Sequence, residues 1–203
     1  MRHGVLLVAL ALVAGAAACS DSEAGTPRPT QSPTEAPTSE GNSQPARPRS
    51  LPVDGLDPCT LITDQQRAAF AIDQPPRAGK QPGGPLKDSP TCNYSTSHDS
   101  ANDYGFLLIA STELGLAEYV DQLRDSPTRH AVEVGGFPGV QDELPGSEPG
   151  NDACFVDVDV ADGQLLEVQF GQVASSKPLP MGTLCAKAVE VAEAALTTLQ
   201  GQR

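Results

Sequence analysis

Alternating strand patterns set between helical periodicities predict an α+β domain in which a mainly antiparallel sheet of about five strands packs with three helices. Two observations carry this: an order of helix, two strands, helix, three or four strands, helix, and an even set of cysteines (Cys59, Cys92, Cys154, Cys185) spread through it. An even number in an exported chain argues for two disulfides, and the lack of a C-x-x-C pair or a neighbouring histidine argues against a metal site.

The first helix is expected after Asp57-Pro58-Cys59, an N-cap residue followed by proline at the first helical position. Thr63-Asp64-Gln65-Gln66 then supplies a capping-box pattern ahead of Arg67-Ala68-Ala69-Phe70. Residues 74–90, rich in Pro and Gly, read as an irregular loop. Cys92 to Thr96 alternates, and after the polar turn His98 to Asp103 the apolar run Tyr104 to Ser111 completes a hairpin with a central second strand.

Leu116, Tyr119, Val120 and Leu123 fall at helical spacing and predict the second helix, limited by Pro127. Short strands are expected at His130 to Val134, ending at Gly135-Gly136, and at Val140 to Leu144. In Cys154-Phe155-Val156-Asp157-Val158-Asp159-Val160 the cysteine and three valines share one face, and Phe155 and the two aspartates share the other. A three-residue turn with Gly163 left-handed pairs Val158 with Leu166, Val156 with Val168 and Cys154 with Phe170, so all apolar partners coincide; a two-residue turn mixes the faces. Over Met181 to Leu199 the residues Leu184, Ala188, Ala192, Ala195 and Leu199 lie in one sector with Cys185 at its margin, predicting the last helix.

The N-terminus predicts how the domain is presented. Arg2 and His3 precede an uncharged apolar run from Val5 to Ala18, too short at ~1.5 Å per residue to span a ~30 Å hydrocarbon core, so residues 1–18 read as a signal peptide. Ala16-Ala17-Ala18-Cys19 resembles a lipobox, which makes Cys19 the lipidated (palmitate-bearing) first residue; ordinary A-x-A cleavage is the competing reading. Residues 19–50 are expected to form a disordered tether: Ser20 to Ser50 holds six prolines, six serines and four threonines, and only Ala as an aliphatic residue. Its 31 residues reach at most ~95 Å extended. Thr30, Thr34 and Thr38 are candidate sites for O-linked sugar. Residues 51–203 form the single folded domain on the extracytoplasmic face of the cell membrane.

Loss of Arg2 with the signal peptide moves the formal net charge from −13 to −14. Such a surface makes nucleic acid and anionic lipid poor partners, and its ordinary use is solubility. No segment beyond the signal peptide is apolar for 18 residues, so the lipid is the expected membrane contact.

The lipobox, the Ser/Thr/Pro tether, Asp57-Pro58-Cys59-Thr60-Leu61-Ile62-Thr63, Cys92-Asn93-Tyr94, Cys154 on a strand and Cys185-Ala186-Lys187-Ala188 on a final helix together resemble the actinobacterial lipoprotein family catalogued as domain of unknown function 3558. Tyr94 stands where the family more usually has tryptophan. The resemblance covers Leu51 to Leu199 and implies an extracytoplasmic α+β domain; it brings no catalytic or ligand residues.

No constellation in the sequence carries chemistry, and no catalytic residue or cofactor is assigned. Only His98 and His130 are available as bases once the signal peptide is gone; His98 lies in a polar turn and His130 at a strand end. Asp157, Asp159 and Glu167 cluster on the outward hairpin face with Asp157 opposite Glu167. They are the candidates for acid/base work or Ca²⁺, but no Ca²⁺-loop pattern accompanies them and a solvated face is expected. Gly135-Gly136-Phe137-Pro138-Gly139 lacks a following helix and lysine, and a turn explains it. The expected function is a non-catalytic binding or regulatory module that engages another envelope protein, a cell-wall component or a small ligand; the alternative is an envelope hydrolase. The expected disulfides join Cys59 to Cys185, fastening the two ends of the domain, and Cys92 to Cys154 across the core, against the rival pairing of sequence neighbours.

Overall fold

The computed structural model of the chain describes residues 46–97, 103–123, 125–148, 150–172, 175 and 177–203. The predicted signal peptide, Cys19, Thr30, Thr34, Thr38 and His98 lie outside these. The strands are β1 (Arg77–Lys80), β2 (Pro90–Ser95), β3 (Tyr104–Ser111), β4 (His130–Val134), β5 (Phe137–Leu144), β6 (Ala153–Ala161) and β7 (Gln164–Gln172). The helices are α1 (Asp64–Ala69), α2 (Leu116–Gln122) and α3 (Met181–Gln202), with a 3-10 turn at Pro58–Thr60. The fold is α+β with one seven-stranded antiparallel sheet in the order β1-β2-β3-β7-β6-β5-β4.

Local chemistry starts the first helical turns as expected. The Asp57 carboxylate accepts the Cys59 N–H at 2.9 Å ahead of the 3-10 turn. Thr63 and Gln66 form a reciprocal capping box at α1. In the β6–β7 hairpin, Val158 faces Leu166, Val156 faces Val168 and Cys154 faces Phe170, with Gly163 at φ +68°. Helix α3 buries Leu184, Cys185, Ala188, Val191, Ala192, Ala195, Leu196 and Leu199 against the inner face of β6 and β7.

The sheet has seven strands rather than about five. The unforeseen strand, β1, lies inside the stretch expected to be an irregular loop, and all four of its residues are exposed. Its backbone completes the edge of β2 while its side chains bury nothing, so no alternation marks it.

The disulfide pairing differs from expectation. Cys59 bonds Cys92 and Cys154 bonds Cys185, each with 5.0 Å between Cα atoms. The sheet order explains why. Cys92 on β2 and Cys154 on β6 are separated by β3 and β7, and three strand spacings of ~4.8 Å put them far beyond the ~7 Å limit of a disulfide. The 3-10 turn carrying Cys59 rests on β2, and α3 carrying Cys185 rests on β6, so each cysteine meets the partner nearest in sequence.

The last residues of the expected tether lie against the domain. Arg47 makes ion pairs with Asp159 (2.5 Å) and Asp162, the Leu51 N–H donates to the Val160 carbonyl at 2.7 Å, and Arg49 donates to the Gln200 carbonyl at 3.3 Å. The chain therefore enters at the pole formed by the β6–β7 turn and the C-terminal end of α3. Among the described residues no helix is long and apolar enough to cross a membrane.

Candidate functional site

The outer sheet face, opposite α3, divides into a sealed half and an open half. Helix α2 covers the sealed half, where Leu86, Ile109, Tyr119 and Leu165 form a small second core. Beneath them lie Asp157 and Glu167, directly opposite each other on β6 and β7 and each 2% exposed.

The expectation of a solvated acidic face is therefore corrected. Asp157 and Glu167 face outward from the main core, but Tyr119 on α2 reaches over them. The Tyr119 hydroxyl donates to Glu167 Oε2 at 2.6 Å, and the Gln169 amide donates to Glu167 Oε1 at 2.5 Å. Asp157 Oδ1 has no hydrogen-bond partner among the described residues. Burial first, and then the charge and hydrogen bonding of Glu167, hold the Asp157 carboxyl well above the usual carboxylate range; Arg129 acts weakly in the other direction. Burial and the facing carboxyls likewise push the Tyr119 phenol up.

Beside the pair, Asp142 on β5 is held by Ser126 Oγ (2.6 Å), Thr128 Oγ1 (2.7 Å) and Arg129 Nη2 (3.0 Å). Burial works against its charge, but the two hydroxyls and Arg129 outweigh burial and keep Asp142 below the usual range. Asp159, the third sequence candidate, stands apart and pairs with Arg47. Among the described residues no group of three His, Cys, Asp or Glu side chains is placed to hold a metal ion. His130 opens β4, exposed, with Nδ1 2.8 Å from the Thr128 carbonyl, and joins none of these groups.

The open half is a groove of about 370 Å³ at the opposite end of the strands from the chain's entry. Its floor is a row of small residues crossing four strands, Ser95, Gly105, Gly171 and Ala153, each paired with the next. Asn93, Leu107 and Gln169 line it further along the face. Gly105 cannot carry a side chain, because a Cβ there stands 2.6 Å from the Tyr94 carbonyl oxygen. Gln169 connects the two halves, since it lines the groove while its amide is bonded to Glu167.

Sequence reasoning placed Asp157 opposite Glu167 and missed Tyr119, Arg129, Asp142 and Gln169 as their surroundings. The available signal was Leu107, Ile109 and Leu165: apolar residues on the supposedly solvated face mean that this face is covered too. In comparison with known proteins, residues 14–198 match the family model described as "Protein of unknown function (DUF3558)". No curated protein and no solved structure matches the chain.

Proposed function

For this chain, which belongs to the DUF3558 family of proteins of unknown function, we propose a role as a lipid-anchored extracytoplasmic lipoprotein that binds an envelope protein, a cell-wall component or a small ligand without transforming it. The observation that carries this reading is the division of the outer face. Asp157 and Glu167 are closed off at 2% exposure, where no substrate reaches them, while the open groove is lined by Asn93, Gln169, Ser95, Thr96 and Asp103 and by glycine backbone. Such a surface holds a ligand by hydrogen bonds and shape, and no histidine is among the residues that line it.

The anchor at Cys19 is supported by the small-residue run before it and the Pro/Ser/Thr stretch after it; the family match also begins at Ala14 and so includes this segment. The groove lies at the pole away from the chain's entry, five to eight residues along β7 from Gln164, or ~17 to 26 Å at ~3.3 Å per residue. Two measurements test the proposal. Cys19→Ser should abolish incorporation of a palmitate analogue and release the protein from membranes. A photocrosslinking residue at Asn93, in the groove, should give discrete adducts in cells that the same residue at Glu190, on the exposed side of α3, does not. Retention of the Cys19→Ser protein on membranes with an unchanged N-terminus refutes the anchor, and equal adducts from both positions refute the groove.

A further inference from the structure

We propose that α2 is a latch held shut by the proton on Asp157, buried directly opposite Glu167, so that loss of this proton loosens α2 from the sheet. The geometry is that of two acids that cannot both ionise in place. Directly opposite residues on antiparallel strands have Cβ atoms ~4.5 to 5.5 Å apart, and both carboxyls here are screened from water. Asp157 so placed keeps its proton, because ionising it sets a buried charge against the facing carboxyl.

The surroundings say where the proton sits. Glu167 accepts from Tyr119 and from Gln169, one donor on each oxygen. Asp157 has an oxygen with no partner among the described residues and is the member suited to carry the proton. Among the described residues the facing cation is Arg129, which pairs with Asp142 at 3.0 Å and acts on Asp157 more weakly than burial and Glu167 do. The charged and titratable groups that face Asp157 are thus Glu167 from β7, Tyr119 from α2, Arg129 from the segment before β4 and Asp142 from β5. Ile109 and Leu165 close the space with hydrocarbon.

The element most able to yield is α2. It has seven residues, of which only Leu116 and Tyr119 are buried, and Tyr119 is the residue bonded to the pair. When Asp157 ionises, rotating Tyr119 outward and admitting water relieves the repulsion at the cost of one short helix. The rest of the fold, held by the main core on the other face, stays in place. The sign follows from linkage: an acid whose proton is held more tightly in the closed state stabilises that state at low pH, and this stabilisation is lost as pH rises from the ordinary carboxylate range towards the raised value.

Hydrogen exchange on the full mature chain tests the latch, with rates converted to protection factors to remove the intrinsic pH dependence of exchange. Between pH 5 and pH 8, protection of the α2 amides at residues 119–122 should fall tenfold or more, while that of Val156 and Val168 in the sheet and of Val191 and Ala195 in α3 holds steady. Asp157→Asn, which keeps a neutral side chain of the same shape, should leave α2 protected and flat across the range; Glu167→Gln should flatten the profile as well and serves if the first variant fails to fold. Tyr119→Phe should lower α2 protection at pH 5. A flat wild-type profile, a pH slope that survives both charge-removing variants, or a fall shared equally by α2 and α3 overturns the proposal.

Discussion

Replacing Cys154 and Cys185 together by alanine removes a cross-link that closes a loop of 31 residues. In the chain-entropy description, a loop of that length withholds ~3.7 kcal/mol of freedom from the unfolded chain. Cys59 and Cys92 close one of 33 residues, so the two cross-links should contribute almost equally through this route. They differ in packing. Cys154 and Cys185 are 0% and 4% exposed, whereas Cys59 is only partly buried, and two missing buried sulfurs add roughly 1–2 kcal/mol. The expected order is therefore a loss of ~5 kcal/mol for Cys154→Ala/Cys185→Ala and ~4 kcal/mol for Cys59→Ala/Cys92→Ala, read from urea unfolding at neutral pH. Reduction of both in the wild type removes ~7 kcal/mol, comparable with the whole ~5–15 kcal/mol stability of a domain, so the reduced protein should lie near its unfolding midpoint in water. Non-reducing peptide mapping supplies the direct check. A peptide joining Cys59 to Cys185 or Cys92 to Cys154 refutes the pairing, and a Cys154/Cys185 double variant as stable as wild type refutes the energetic reasoning.

Two further outcomes follow from single side chains. The Tyr94 hydroxyl donates to the Cys59 carbonyl at 3.1 Å inside the core, and burial pushes the phenol up to about 12. Tyr94→Phe should cost ~1 kcal/mol at pH 7. The neutral phenol's contribution is complete below the ordinary value of ~10 and lost as pH climbs towards 12, so the variant should also blunt alkaline unfolding in that window, measured by circular dichroism. Gly163 has φ +68° with nothing within 4 Å of a built Cβ, so Gly163→Ala should cost only the ~1 kcal/mol of left-handed strain, and Gly163→Asn less. A larger loss for alanine in thermal unfolding contradicts the open geometry.

What was legible in the sequence was whatever one element states by itself. The β6–β7 register could be read because the valines of one strand and the Leu166, Val168 and Phe170 of the other leave a single alignment compatible with Gly163. The capping box at Thr63 and the stripe of α3 are likewise local. What could not be read depends on how elements neighbour one another. Cys92 and Cys154 both point into the core, as expected, but nothing in either strand states that β3 and β7 stand between them. Asp157 and Glu167 were correctly opposed, yet what covers them is Tyr119, from a helix that precedes β6 by two whole strands. β1 is visible only through its partner.

The two cross-links fall on either side of one line through the sheet. Strands β1, β2 and β3 form one meander, sealed by Cys59–Cys92; β4, β5, β6 and β7 form another, sealed to α3 by Cys154–Cys185. The ladder from Tyr104–Gln172 to Ser111–Leu165 joins them, and neither disulfide crosses it. Each half can thus be oxidised on its own contacts, while the central pairing, between strands distant in sequence, bears the slow loop-closing search of assembly. The same seam is where two molecules can exchange halves, β3 of one lying beside β7 of another, with every disulfide still intramolecular.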